Sequence, residues 1–416
     1  MEIKNIEIDR LRKSTGITLI ALVITIIVLL IFAGVSIAML TGNNGILNQA
    51  KLAKESTEVA KEQEEKDLDK INSYINEKTI KDNYTDINGD KATIPEGFEV
   101  DETENVISKG LVVHGPDKAN EDNGSEFVWV PVPDINSMSQ CSTAGGDCNL
   151  QLENGVLKCK THNDNEEIVG KLYAVNAGEN FGVVNTEYHA NNVLREPAIV
   201  IGNDDSEEKK YDVKKEYNDN LFSLESLKAD YKNMATSVAK YKGFYVGRYE
   251  TSLSTATAES SGTAGTVQSK QGVLPTSAEN TSTYRWYGLY KTQNGTYTGK
   301  NNSVESSMIW GSQYDAMINW IEIGEDKEKL KNKSLGNSSS ESIKITGNEE
   351  HSNDKINNIR DLGGNLREWT LEACYGNARI NRGGYYAENS SPSCRNYNPP
   401  DYTHNYIGSR LTLYIM

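Results

Sequence analysis

The run from Ile17 to Leu40, ITLIALVITIIVLLIFAGVSIAML, contains no charged residue. At about 1.5 Å rise per residue, a helix of that length matches a hydrocarbon core of roughly 30 Å. The chain as a whole is polar, with a mean hydropathy of −0.59. Everything downstream therefore hangs from this one anchor, or from an assembly into which the anchor packs. Arg10, Arg12 and Lys13 directly precede the run, and the positive-inside rule keeps that end cytoplasmic with the remainder outside. A secretory signal peptide would have a shorter apolar core followed by small residues at a cleavage site. The first expectation is an uncleaved single-pass anchor in the cell membrane.

A length of 416 residues allows two or three folded units. The formal net charge of −16 disfavours nucleic acid or an anionic membrane face as the main partner. Tyr is abundant, 22 residues beside 34 Gly, which suits recognition at low entropic cost and equally suits irregular, loop-rich domains. Five cysteines leave at least one unpaired within a monomer, and five scattered histidines supply no zinc-ligand spacing. A disulfide within the Cys141, Cys148 and Cys159 group, or between Cys374 and Cys394, fits an extracellular compartment.

After the apolar run, Thr41 to Gly45 reads as a helix break. A second helical pattern then carries Ile46, Leu47, Ala50, Ala53, Ala60, Leu68, Ile71 and Ile75 among many Lys and Glu. This predicts a stalk helix to about residue 80, with 83–93 as a linker and a head beginning near Ile94. Within the head, 94–98, 126–132 and 244–250 read as strands, and 221–238 and 310–323 as helices. Two lengthening insertions are expected, near 136–230 and 251–305. The C-terminal block is the densest in signal. Asn358 to Thr370 (NIRDLGGNLREWT) and Asn381-Arg-Gly-Gly384 place glycines around Trp and Arg, as tight turns between closely approaching strands require. The alternation of Leu411, Leu413 and Ile415 predicts a closing strand.

Ser14-Thr15-Gly16 before Ile17-Thr18-Leu19-Ile20-Ala21-Leu22 resembles a type IV prepilin signal. The resemblance implies cleavage between Gly16 and Ile17 by a prepilin peptidase, and methylation of the new amino terminus. The family usually has Glu at the fifth mature position, where this chain has Ala21. That points away from a filament-building major pilin and towards a minor pilin-like subunit, with other pilins as partners, or a lone anchor.

In the head, FYVGRYETS at 244–252, DLGGNLREWT at 361–370, NRGG at 381–384 and the closing IGSRLTLYI resemble the formylglycine-generating-enzyme (sulfatase-modifying-factor) domain, a variant of the C-type-lectin-like fold. The implied fold class is α+β: a leader at 1–16, a transmembrane and stalk helix at 17–82, and a lectin-like head with short strands and long loops at 94–416. The oxidase of that family uses a close pair of cysteines that bind copper(I), a soft ion suited to thiolates. Here Cys374 and Cys394 are the only candidates and lie further apart, so copper and oxidase chemistry are disfavoured. Some relatives carry calcium, though no Asp/Asn spacing here argues for it independently; no resident metal or cofactor is expected. Asn365, Glu368, Trp369, Arg382, Gly383, Gly384 and Arg410 read as fold-holding: Trp in the core, Arg–carboxylate pairs in a polar interior, Gly for turn geometry.

The segment from Tyr385 to Tyr406, YYAENSSPSCRNYNPPDYTHNY, lacks apolar periodicity and reads as an irregular exposed loop. Its composition resembles the variable segment of lectin-fold proteins diversified by retroelements. Tyr385, Tyr386, Asn389, Ser393, Asn396, Tyr397, Asn398, Asp401, Tyr402, His404 and Asn405 are the candidate contacts, for a surface glycan or protein ligand. The expected function is surface-displayed binding or adhesion. The alternatives are a formylglycine-generating-type oxidase acting on exported proteins and a structural minor pilin.

Overall fold

The computed structural model describes residues 20–35, most of 50–66, 80–116, 124–135 and 138, most of 150–159, 174–175, 193–194, 219, 222–253, 267–276, 285–374, 378–402 and 404–416. The prepilin-like junction at Gly16–Ile17, the predicted break at 41–45, and Cys141 and Cys148 lie outside the described residues. The chain divides into two compact units, Met1–Glu77 and Lys78–Met416.

In the first unit, residues 20–35 are helical with exposed apolar side chains, and the described residues between 50 and 66 are helical as well. Thr25 inside the apolar stretch returns its hydroxyl to the Ala21 carbonyl at 2.8 Å. Among the described residues no helix is long and apolar enough to cross a membrane; the flanking positions of the 17–40 run lie outside them.

The second unit opens on a hairpin, β1 (Ile80–Thr85) with β2 (Lys91–Pro95). The helix predicted through 82 thus gives way to a strand at 80, and the predicted linker is part of the fold. The polar residues that suggested a linker form the hairpin turn. Asp86 Oδ1 accepts the N–H groups of Asn88 and Asp90 at 2.8 and 3.0 Å. Its Oδ2 accepts from Ile107 N–H at 2.9 Å.

The architecture is α+β. Beyond β3 (Glu99–Val100), β4 (Val112–His114) and β5 (Glu126–Pro131), the insertion contributes β6 (Leu150–Glu153), β7 (Val156–Cys159), β8 (Ala174–Val175) and β9 (Val193–Leu194). Helix α1 (Leu224–Tyr241) leads into β10 (Gly243–Gly247), followed by β11 (Ser252–Leu253) and β12 (Val267–Gln268). Helix α2 (Trp286–Gln293), β13 (Val304–Met308) and α3 (Gly311–Glu322) precede β14 (Arg367–Cys374) and β15 (Ala378–Arg382). The chain closes with β16 (Arg395–Asn398), β17 (Ile407–Ser409) and β18 (Leu411–Ile415).

One six-stranded sheet runs β13-β18-β10-β5-β4-β3, its described pairs antiparallel. Alternation along β5 feeds two cores. Val128 and Val130 join one apolar cluster, while Phe127 and Trp129 join the other on the opposite face. The predicted closing strand is β18, held between β13 and β10. The 251–305 stretch, read from sequence as an insertion, supplies Trp286, Leu289 and Tyr290 to the first core and leads into β13 of the sheet. Helix α1 starts on a capping box between Ser223 and Ser226 and buries Leu227, Tyr231, Met234 and Val238 against the same core.

The second sheet carries the C-terminal block, in the order β16-β15-β14-β9-β8, with β17 parallel to β14. Paired glycines let its turns touch: a Cβ on Gly384 would sit 2.5 Å from the Gly363 carbonyl oxygen, and Gly383 holds φ +77°.

Candidate functional site

The frame beneath the Tyr385–Tyr406 segment is charged and buried. Asp315 projects from α3 and receives Arg382 Nη1 of β15 at 2.8 Å and Arg395 Nη2 of β16 at 3.0 Å. Glu372 of β14 approaches the same Arg395 nitrogen at 3.1 Å. Arg410 donates its Nε to Glu368 at 2.9 Å. All six side chains are shielded from water, so opposite charge and hydrogen bonding together offset their desolvation. Tyr314 lies under the Arg382 guanidinium, 4.4 Å from its ring centroid, and donates its hydroxyl to the Pro392 carbonyl at 2.9 Å. Sequence reading found Arg382, Glu368 and Arg410 as Arg–carboxylate partners but missed Asp315 and Glu372. The signal for Asp315 was available: it is the only charged residue in Gly311–Glu322 before the last position, and it sits beside the apolar Tyr314, Ala316, Met317 and Ile318.

Asn365 holds a second junction. Its φ of 62° is left-handed, a conformation Asn tolerates better than most residues. Its Nδ2 donates to Glu250 Oε2 at 2.5 Å, and its Oδ1 accepts Asn337 Nδ2 and Lys344 N–H, each at 2.9 Å. Its carbonyl accepts Tyr386 N–H at 3.0 Å. Trp369 is buried in the core.

Burial raises the Glu250 and Asp361 carboxyls above the usual carboxylate range, with Asp361 and Glu368 adding to Glu250's shift and Asp354 to that of Asp361. Such groups keep their protons in the fold at a pH where the unfolded chain has released them. The stability they contribute is complete below the unfolded value near 4.5 and declines as pH rises through the folded one. Lowering the pH from 8 to 6 should therefore raise the melting temperature. Glu250→Gln should reduce that slope, by at most about 1.4 kcal/mol per pH unit, the linkage of one whole proton. Equal slopes in thermal melts of the two proteins would refute this account.

On this frame the predicted contacts divide. Tyr386 and Ser393 are buried, so neither is available to a ligand. Tyr386 packs its ring edge-on to Tyr385, and Ser393 shares a hydroxyl contact with Ser391. Asn389, Tyr397, Asp401 and His404 are exposed; Tyr385, Asn396, Asn398, Tyr402 and Asn405 are half-buried. The segment is not the free loop expected from its composition. It includes edge strand β16, and Arg367 clamps it through Glu388 at 2.7 Å.

Four rings gather at its outer side. Tyr385 stacks on Tyr406 at 4.4 Å, His404 lies 3.8 Å from Tyr406 and 5.9 Å from Tyr402, and the Tyr402 and Tyr406 hydroxyls meet at 2.8 Å. Tyr406, the last residue of the segment, was not among the predicted contacts. Desolvation, with Glu388 adding, pushes the Tyr385 hydroxyl above its ordinary value; desolvation and the Tyr402 hydroxyl do so for Tyr406. Both rings therefore stay neutral donors at physiological pH. Neutral rings beside amides can stack on apolar faces, hydrogen-bond polar groups, and attract cations to the ring faces.

No family model matches the chain, and neither does any curated protein. Among solved structures, Treponema denticola variable protein 1 is 15% identical with a TM-score of 0.28, the match covering 42% of this chain and 85% of that one. A crystal structure of CarF is 14% identical with a TM-score of 0.26, covering 42% and 87%. Overlap at that level carries no argument about fold or activity.

The cysteines are corrected by strand register. Cys374 pairs with Ala378 at one end of the β14–β15 ladder, whereas Glu368 pairs with Arg382 at the other. Arg382 pairs in turn with Arg395, next to Cys394. The two cysteines are thus separated by most of a strand, ~20 Å at about 3.3 Å per residue. That is beyond disulfide reach or a shared metal ion. Cys394 is a buried thiol outside any disulfide among the described residues, with Arg367 Nη1 3.8 Å from its sulfur. Iodoacetamide should label Cys394 only after denaturation, and peptide mapping should find no Cys374–Cys394 bond; finding that bond would break the register. Among the described residues, no group of three or more His, Cys, Asp or Glu is arranged to hold a metal ion.

Proposed function

We propose that this chain is a surface-displayed binding or adhesion protein. A pilin-like N-terminal helix, cut by a prepilin peptidase after Gly16, anchors it in the membrane and presents a non-catalytic, C-type-lectin-like head to a glycan or protein outside. One observation carries the reading: a ring-and-amide face, with Tyr397 52% exposed, rests on a charge-paired frame that is closed to water. Rigid aromatic residues on a pre-organised frame bind with little ordering cost. Within 385–406, nine of the eleven candidate contacts are exposed or half-buried, while Tyr386, Ser390, Ser391, Ser393, Cys394 and Arg395 are buried. Such a division lets the outer positions change without disturbing the frame.

The test is a glycan array and a displayed-peptide library probed with the full chain in nanodiscs. The double variant Tyr397→Ala, Tyr402→Ala should weaken any saturable binding at least tenfold, and Tyr397→Ala alone should weaken it with little change in melting temperature. No saturable binding in either library would count against the reading. Mass spectrometry of the native amino terminus tests the anchor separately: a chain starting at N-methylated Ile17 supports the pilin pathway, and an intact Met1 makes it a plain signal-anchor.

A further inference from the structure

The tyrosine segment is continuous with a second surface element from a different part of the chain. Asn365 grips both at once: its carbonyl takes Tyr386 N–H, and its side chain takes Lys344 N–H at 2.9 Å and Lys344 C=O at 3.3 Å. Ser340 N–H donates to the Tyr386 carbonyl at 2.7 Å, and Ser339 Oγ meets Asn389 Oδ1 at 3.2 Å. Segment 339–346 therefore lies against the candidate contact residues. At its far end, Thr346 N–H bonds the Val273 carbonyl at 2.8 Å, which brings Leu274 into the neighbourhood of Ile345. Leu274 is 60% exposed and Ile345 44%, with Ile343 half-buried beside them. Isolated surface aliphatics need no explanation, but the Thr346–Val273 bond sets these in one neighbourhood, at the segment that meets Tyr386 and Asn389.

The charge around this strip has one sign at its outer positions. Arg395 is the only Lys or Arg in 385–406, and it is buried. Asp401 and Glu341 are exposed, and Glu388 and Lys344 are half-buried, with Glu388 already paired to Arg367.

We propose that Leu274, Ile343 and Ile345 form a fixed apolar shelf of the same binding face, and that its partner is a protein segment. The partner sets an aliphatic side chain on the shelf and a lysine or arginine beside it, towards Asp401 and the tyrosine rings. A glycan's apolar surface is mostly ring C–H faces, which suit flat aromatic rings better than a shelf of branched aliphatics. This rests on the binding reading above and adds the class of partner and the residues outside 385–406 that meet it.

The experiment pans a displayed library of random peptides on the full chain in nanodiscs, with a glycan array in parallel. Enriched peptides should pair an aliphatic residue with Lys or Arg. Leu274→Asn and Ile345→Asn should each weaken them at least tenfold without lowering the melting temperature, since both side chains are exposed. If Tyr397→Ala and Tyr402→Ala weaken the peptides and the two shelf variants do not, the shelf is overturned and the binding face stands. If glycans bind saturably through Tyr397 and Tyr402 while no peptide enriches, the protein partner is overturned and the face again stands. If neither library yields a ligand sensitive to Tyr397→Ala or Tyr402→Ala, both readings fall.

Discussion

Asp315→Ala should be among the most destabilising single changes in the head, costing about 3–5 kcal/mol, the usual penalty for stripping one partner from a buried ion pair. Asp315 is the acceptor shared by Arg382 and Arg395, so its loss leaves two guanidiniums competing for Glu372, which stands 3.8 Å from the first and 3.1 Å from the second. Both arginines anchor strands of the second sheet, β15 and β16, and Arg382 Nε also holds the Cys394 carbonyl at 3.3 Å. The damage should therefore concentrate under the tyrosine face. Glu325→Ala is the control. Its pair with Lys109 spans 3.6 Å between side chains 82% and 60% exposed, where solvent screens most of the attraction. Thermal melts should show a large drop for Asp315→Ala and almost none for Glu325→Ala. A melting temperature for Asp315→Ala within a degree of the parent would mean that the network is not what holds this sheet.

What the sequence made legible follows from how local each signal was. The strands at 126–132 and 244–250 and the closing strand at 411–415 are short apolar alternations, and each lies in the first sheet. The helices at 221–238 and 310–323 were legible from spacing, within a few residues of α1 and α3. The glycine pairs at 363–364 and 383–384 announced a close approach, and a Cβ at 364, 383 or 384 would strike backbone atoms while one at 363 would strike the Leu335 side chain. Other features depend on partners distant in the chain. The turn residues of Asp86 to Asp90 look alike in a linker and in a hairpin, and only the pairing of β1 with β2 separates the two. Trp286 sits after a Ser/Thr-rich stretch that reads as loop, yet its indole N–H reaches the Thr370 carbonyl at 2.9 Å and its ring lies 3.9 Å from the Arg379 guanidinium. For the candidate face, composition singled out the right segment and misjudged its exposure. Ser393 and Tyr386 are polar residues buried where the frame grips the segment's backbone: Tyr314 takes the Pro392 carbonyl, Arg382 takes the Cys394 carbonyl, and Asn365 takes Tyr386 N–H, partners that are not written in the segment itself.

Asn365→Ala should cost about as much as the loss of Asp315, for a different reason, and should loosen the binding face selectively. Four side-chain hydrogen bonds disappear: two to Lys344, one from Asn337 and one to Glu250. Each buried group left without a partner costs roughly 1–3 kcal/mol before relaxation, and alanine at φ 62° adds about 1 kcal/mol of backbone strain. Local rearrangement and water entry recover part of this, so the expected net is about 3–4 kcal/mol. Asn365→Gly separates the two causes. It relieves the backbone and still loses the bonds, so it should recover only the strain portion. Asn365→Asp keeps the shape but sets a second buried carboxyl where an amide donated to Glu250, so its deficit should shrink as the pH is lowered and the new carboxyl takes a proton. Hydrogen exchange locates the effect. Protection should fall in 337–346 and 385–389, the segments that meet at Asn365, and persist in β5, β10 and β18 of the other sheet. Uniform loss across both sheets would instead make Asn365 a residue of the global fold, with no particular hold on the face that the tyrosines present.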